Sequence, residues 1–227
     1  MKTFLLTCVA LAAAGGWGVP AQAQDSNNWY LSIAGTLSLL DDADMLVSNL
    51  PTPAGYVKSI HLLNSGHGGQ LAVGRSFGRT RLEVQGGYTQ NHSRRYVALV
   101  PPTGNIPSNG EQNAWRAMAN GYFDIGSGRI RPYLGAGLGW TRVHVSVFAP
   151  RAPFPTEAPR GIVDTHMSAF AYQLMGGASI QLTPRLMLSA QYRWHSGGEL
   201  QGKDLSAFPL SRDHAGHNVD IGLCIRL

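Results

Sequence analysis

The sequence predicts an all-β fold: eight antiparallel strands running up and down and closing into a single barrel. Three observations carry that expectation. Alternation of apolar with polar or very small residues recurs in eight stretches, and the last one runs to the final residue. The connections alternate strictly between four long segments rich in Pro, Gly and polar residues and three short turns. Glycine is abundant, at 28 residues, and only 14% of residues are charged, a composition suited to closely packed strands.

The first strand puts Trp29, Leu31, Ile33, Leu37 and Leu39 on one face, with Tyr30, Ser32, Ala34, Thr36 and Ser38 on the other. Asp41 to His67, with early aspartates and Pro51 and Pro53, reads as an irregular loop. The second strand, Gly69 to Phe77, alternates Leu71, Val73 and Phe77 with Gln70, Ala72, Gly74 and Ser76. Arg75 breaks its apolar face near the end, which suggests a boundary position from which the side chain extends to headgroups. A tight turn at 77–80 leads to the third strand, with Leu82, Val84, Gly86 and Tyr88 opposed by Glu83, Gln85, Gly87 and Thr89.

Gln90 to Asn113 is the second long segment. Strand four then sets Ala117, Ala119, Gly121, Phe123 and Ile125 against Arg116, Met118, Asn120, Tyr122 and Asp124. After a Gly-Ser-Gly turn, strand five separates Leu134, Ala136, Leu138 and Trp140 from Tyr133, Gly135, Gly137 and Gly139. These glycines alternate within a strand and open no helix, so they do not make a dinucleotide-binding loop.

His144 to His166 is the third long segment, rich in proline. Strand six sets Phe170, Tyr172, Leu174, Ala178, Ile180 and Leu182 against Ala171, Gln173, Met175, Gly177, Ser179 and Gln181. Strand seven sets Leu186, Leu188, Ala190, Tyr192 and Trp194 against Met187, Ser189, Gln191 and Arg193. His195 to about Gly216 is the fourth long segment. In the closing strand, Val219, Ile221, Leu223, Ile225 and Leu227 oppose Asn218, Asp220, Gly222, Cys224 and Arg226. Such a strand needs a partner for its edge, and closure predicts antiparallel pairing with Trp29 to Leu40.

Residues 1–23 read as a secretory signal peptide: Lys2, the apolar run Phe4 to Ala14, and Ala21-Gln22-Ala23 before Gln24. The barrel domain is then 24–227. Of the two cysteines only Cys224 lies in it, so no internal disulfide is expected. Net charge is +5, or +4 once Lys2 is removed, and the basic residues form no run or stripe, which argues against nucleic-acid binding.

Alternation alone does not tell a membrane barrel from a soluble one with an apolar interior. Three features favour the membrane. The polar face joins charged residues to many glycines, which leave room inside a narrow bore. The aromatics of the apolar face gather in two belts, Trp29, Phe77 and Phe123 at the short-turn end, and Tyr88, Trp115, Trp140, Phe170, Tyr172, Tyr192 and Trp194 towards the long segments. The signal peptide also delivers the chain beyond the inner membrane. The alternation of turns and an even strand number put both termini on the periplasmic side.

Arg81-Leu-Glu-Val-Gln-Gly-Gly-Tyr88, Asn120-Gly-Tyr-Phe-Asp124 before the glycine turn, Pro132 to Trp140, Gln191-Tyr-Arg-Trp194 and the closing strand together resemble the eight-stranded outer-membrane barrels of the OmpA/OmpX-like and Opa-like class. The resemblance covers essentially the whole chain after residue 23. Members of that class commonly end in an aromatic residue that the barrel-assembly machinery recognises, where this chain has Leu227. The resemblance implies a monomer in the Gram-negative outer membrane, in contact with lipid and lipopolysaccharide. It further implies long outer loops that meet a host or other surface ligand, as in Opa-like adhesins. No OmpA-type peptidoglycan-binding domain is expected after Leu227.

Eight strands enclose a bore that side chains just fill, so no wide pore is expected. Interior charges should pair, and the expected groups are a lower cluster of Glu83, Asp124 and Arg226 and an upper one of Arg116, Arg193 and Asp220. A structural plug is the expected role of these groups, with a small-solute channel as the alternative.

A further alternative is a lipid A-modifying hydrolase using His195 and Ser196, with Glu199 nearby. Adjacent residues on an extended strand point to opposite faces, and the His-x-Ser-Asn pattern of lipid A deacylases is absent, so no enzyme is expected. The eight histidines, His61, His67, His92, His144, His166, His195, His214 and His217, fall in or beside the long segments. They read as solvated residues with no reliable ligand spacing, so neither a metal nor a cofactor is expected.

Overall fold

The structure is a computed structural model and describes residues 29–40, 43–48, 56–63, 65–98, 104–126, 128–149, 160–203 and 209–227. The signal peptide expected at 1–23 lies outside these residues. The elements are β1 (Trp29–Leu40), β2 (Ala43–Ser48), β3 (Tyr56–Leu63), β4 (Gly66–Phe77) and β5 (Thr80–Ala98). They continue with β6 (Gly104–Asp124), β7 (Ile130–Ala149), β8 (Arg160–Gln181), β9 (Leu186–Lys203) and β10 (Pro209–Arg226). All pairings are antiparallel, and β1 meets both β4 and β10, so the sheet closes on itself.

The barrel has eight strands although ten stretches occur. Ser38 lies opposite Gly66, and beyond the break Ala43 lies opposite His61 in the same register. β1 with β2, and β3 with β4, are therefore two interrupted arms of one hairpin. Its upper part bridges β10 and β5, as its lower part does.

Following paired residues once around the wall gives Tyr30, Gly74, Glu83, Asn120, Gly137, Gln173, His195 and Gly216, then β1 again at Leu40. The path returns ten residues above its start. With eight strands, that stagger tilts them by roughly 40° and leaves an interior that side chains can fill.

One end carries tight turns. The two-residue loop Gly78-Arg79 joins β4 to β5, and the φ of 64° at Gly78 is one that only glycine adopts freely. Wall residues alternate as the sequence pattern requires. Tyr30, Glu83, Met118, Asn120, Tyr122, Gln173 and Arg193 are buried, whereas Leu31, Ile33, Leu71, Leu134, Leu138 and Ile221 are exposed, with Val84 exposed at 65%. An apolar surface continuous around the whole wall is incompatible with water and matches a lipid-facing band.

The long segments differ from the sequence expectation. Asp41 to His67 holds β2 and β3, and β5 runs on to Ala98. β6 begins at Gly104, β7 reaches Ala149, β8 begins at Arg160, and β9 and β10 extend to Lys203 and from Pro209. These stretches were expected as irregular loops because they lack apolar alternation.

The physical reason is visible on β7. Up to Trp140 the outward residues are apolar. Beyond it Arg142, His144 and Ser146 point away from the bore, while Val143 and Val145 are fully buried within it. Polarity inverts with no slip in register, as it must where the outer solvent changes from lipid to water. Strands above that level have a polar outer face and a mixed inner one, so period two fades from the sequence although the ladder continues.

Candidate functional site

At the short-turn end of the bore, the Arg81 guanidinium packs against the rings of both Tyr122 and Tyr133, 4.9 Å and 4.8 Å from their centroids, while the two rings meet edge to face. It also stands 3.0 Å from Asp124 Oδ1. Arg81 shares the inward phase of Glu83 on β5, and it is the cation that the expected lower cluster omitted. Arg226, which had been expected to hold Asp124, instead contacts Met187 Sδ at 3.9 Å. Asp124 ends β6 opposite Tyr133, across the bore from the last residues of β10.

Glu83 accepts from three neutral donors: Tyr30 Oη at 3.1 Å, Tyr122 Oη at 3.3 Å and Asn120 Nδ2 at 3.4 Å. From there a polar chain climbs the bore. Asn120 donates to Gln85 Oε1 at 2.9 Å, and Gln173 donates to Asn120 Oδ1 at 2.7 Å and to Gln85 at 3.2 Å. Gln85 donates to Gln70, and Gln70 accepts from Arg193.

Arg193 pairs with Asp220. The Asp220 carboxylate also accepts from Thr36 Oγ1 at 2.6 Å and from Gln191 Nε2 at 3.2 Å. Arg116 lies in the field of both Arg193 and Asp220. With the Asn218 amide oriented to suit its neighbours, Asn218 Oδ1 accepts from Arg116 at 3.2 Å and its nitrogen donates to Ser38 Oγ at 3.2 Å. Arg116, Arg193 and Asp220 thus come together, with Arg193 paired directly to the carboxylate and Arg116 held by Asn218 within its field.

Around the lower part of this network, a cavity of about 50 Å³ is lined by Tyr30, Arg81, Glu83, Tyr122, Gln191 and Asp220, among others. That is space for a few water molecules at most. Higher up, Val143, Val145, Met167 and Leu200 are buried and apolar.

His195 and His214, expected as solvated, are buried, with their rings 5.4 Å apart. They continue the inward phases of Arg193 on β9 and Gly216 on β10; just beyond them the β9–β10 register shifts between Asp213 and Ala215, and Gly198 adopts a φ of 60°. As expected for adjacent strand residues, His195 pairs with the inward Gln173 and Ser196 with the outward Tyr172, although both are buried. Ser196 Oγ accepts from the Gly198 amide at 3.2 Å, and Glu199 accepts from Ser211. Both His195 ring nitrogens lack hydrogen-bond partners, so these residues form no serine–histidine–carboxylate relay.

On the outer wall, Trp29, Phe77 and Phe123 lie at the short-turn end, with Arg75 over Trp29 at 5.7 Å and over Phe77 at 5.3 Å. Towards the other end, Trp115, Trp140, Phe170, Tyr172 and Tyr192 are exposed. Tyr88 packs on Trp115 with centroids 4.8 Å apart, and Tyr172 on Trp194 at 5.6 Å. Of the remaining histidines, His67, His92 and His166 are exposed, while His144 and His217 are half-buried on the outer wall. His144 bonds Asp164 at 2.8 Å, and the His61 side chain lies outside the described residues. Among the described residues no group of three or more His, Cys, Asp or Glu is placed to hold a metal ion.

A family model described as "Outer membrane protein beta-barrel domain" matches residues 9–210. An uncharacterised protein of Brucella abortus (strain 2308) is 37% identical over 100 residues, which is 42% of this chain and 35% of that protein. A Brucella melitensis protein matches to the same extent. The aligned region is thus about a third of those relatives' own length.

Among solved structures, the outer membrane protein OprG from Pseudomonas aeruginosa superposes with a TM-score of 0.59 at 11% identity, over 88% of this chain and 96% of that one. Neisserial surface protein A gives 0.50 at 16% identity, over 90% and 100%. The outer membrane protease OmpT of Escherichia coli gives 0.51 at 8%, over 91% and 99%. At these identities the likeness is one of fold alone.

Proposed function

Because the chain belongs to the outer membrane protein β-barrel domain family, and so to the Gram-negative outer membrane, we propose that it is a solute-tight barrel presenting binding surface on strands that project outward. In this reading the short turns and both chain ends face the periplasm, and the long-segment end faces the exterior. The role is structural or adhesive, and non-enzymatic. The observation that carries it is the filled bore: the polar chain from Glu83 to Asp220 crosses the lumen, and Val143, Val145, Met167 and Leu200 close it above.

Strand length supports the outward display. β6 and β8 have 21 and 22 residues, whereas a tilted strand needs about 9–11 to cross the hydrocarbon layer. Roughly half of each therefore stands above the membrane.

Two measurements test the proposal. In planar bilayers, wild type and Glu83→Gln should show the same absence of stepwise conductance; stepwise opening in either would favour the channel reading. Bacteria displaying a variant shortened within 150–159 and 204–208 should bind epithelial cells less well than bacteria displaying wild type. Equal binding would leave the structural role alone. Protease added to intact cells should cleave within 150–159, and cleavage only after outer-membrane permeabilisation would reverse the orientation.

A further inference from the structure

The outer wall just above the apolar band carries a built cluster that the filled bore does not use. Trp115 on β6 pairs with Arg142 on β7, Asn113 with His144, and His144 with His166 on β8, while Tyr88 on β5 lies opposite Trp115. Tyr88, Asn113, Trp115, Arg142, His144 and His166 line an open groove of about 560 Å³. The imidazoles of His144 and His166 stack with centroids 4.2 Å apart, and Asp164 Oδ1 fixes the first by its bond to Nε2 at 2.8 Å.

Tyr88 Oη donates to Asn113 Oδ1 at 3.1 Å, which keeps both Asn113 amide N–H groups for another acceptor. Arg142 is exposed and has no carboxylate within 4 Å among the described residues.

Height fixes the kind of occupant. Trp115, Trp140 and Phe170 mark the upper edge of the apolar band, and Arg142 stands one outward position beyond Trp140 on the same strand. This is the depth at which lipid phosphates sit. An unpaired guanidinium, amide donors and the His166 N–H suit a phosphate oxygen cluster, with arginine supplying the fork-like geometry. The tilted Tyr88 and Trp115 rings beside them offer apolar faces of the kind that sugar rings cover.

We propose that this groove binds the phosphorylated sugar headgroup of a glycolipid of the lipid A class, with the acyl chains lying along the apolar wall below. Arg142 takes the phosphate, Asn113 and His166 donate to its remaining oxygens, His144 accepts from a sugar hydroxyl, and Trp115 with Tyr88 supports the ring. The inference rests on the outward orientation proposed above for its place in the cell, but the binding itself does not.

The test uses the full barrel in detergent micelles, titrated with bisphosphorylated lipid A and read by native mass spectrometry. Parallel titrations use dephosphorylated lipid A, phosphatidylglycerol and inorganic phosphate. Because micelles have no sidedness, a failed orientation and a failed site give different results. Wild type should bind bisphosphorylated lipid A at least tenfold more tightly than the other three probes.

Arg142→Ala should lose at least tenfold and Arg142→Lys less, each with heat-modifiable migration intact. Arg75→Ala, which removes an outward arginine at the opposite rim, should stay within twofold of wild type. The proposal is overturned if Arg142→Ala binds within twofold of wild type, or if Arg75→Ala loses as much. It is equally overturned if phosphatidylglycerol or inorganic phosphate binds as tightly as lipid A.

Discussion

Replacing Asp220 with alanine removes the acceptor on which the middle of the bore is built. Arg193, Thr36 and Gln191 all donate to it, and the side chains of Arg193 and Asp220 are only 1% and 2% exposed. Breaking a buried ion pair by deleting one partner costs about 3–5 kcal/mol, because the survivor stays charged and unpaired. The two orphaned neutral donors add about 1 kcal/mol each where water cannot enter. Arg116 raises the penalty, since without the carboxylate two guanidinium groups repel each other across the lumen.

The expected loss is therefore at least about 4 kcal/mol, near a thousandfold in the folding equilibrium constant. Urea titration of protein refolded into phospholipid vesicles, followed by tryptophan fluorescence and heat-modifiable migration, reads that loss directly. The double variant Arg193→Met with Asp220→Leu removes both charges at similar volume and should recover most of the ion-pair penalty, while still losing the acceptor of Thr36 and Gln191 at about 1 kcal/mol each. The reasoning fails if Asp220→Ala loses less than about 1 kcal/mol, or if the double variant is as unstable as the single one.

Three pairs of substitutions probe separate parts of the wall by the same titration. Arg81→Met should cost about 3 kcal/mol through loss of the contacts with both tyrosine rings and of the Asp124 pair, whereas Arg226→Met should cost under about 1 kcal/mol. The opposite order would restore Arg226 as the partner of Asp124. In Gly139→Ala the new Cβ would stand 2.1 Å from the Ala117 carbonyl oxygen, a backbone atom, so the heat-modifiable species should be lost; Gly86→Ala meets nothing within 4 Å and should fold normally. Leu138→Lys should cost about 2–4 kcal/mol in the lipid-facing band and Ser146→Lys under about 0.5 kcal/mol above it, and equal costs would misplace the membrane edge.

The strands within the lipid band were legible because two unlike solvents, hydrocarbon and a packed polar bore, enforce opposite chemistry on successive residues. Leu134, Ala136 and Leu138 against Tyr133, Gly135 and Gly137 leave little ambiguity. The projecting parts of β2, β3 and β5 to β10 were not legible for the converse reason. Their outer face meets water and parts of their inner face are also polar, so Gln90, Asn91 and His92 read as a loop although they pair with β6.

The inward place of Arg81 is hard to read because the residue stands next to the turn, where alternation has barely started, even though its phase follows from Glu83 two residues on. His195 and His214 keep the inward phases of Arg193 and Gly216, a signal hidden because the residues around them are polar; a bulge follows just beyond them on β9. Gly197-Gly198 is its sequence signal, since paired glycines inside an otherwise regular strand mark an irregularity of register.

The inversion on β7 ties these observations together. Val143 and Val145 are inward and buried while Arg142 and His144 are outward, directly beyond a segment of the reverse polarity. One ladder thus serves as a membrane barrel below and as an aqueous barrel with apolar filling above. Below the inversion both faces are committed, the outer to lipid and the inner to the chain of bonds from Glu83 to Asp220. Above it the inner face is largely closed by Val143, Val145, Met167 and Leu200. The outer wall past Trp140 and the segments joining the strand tips are what remains for recognition, and Arg142, His144 and His166 lie on the first level of that free surface.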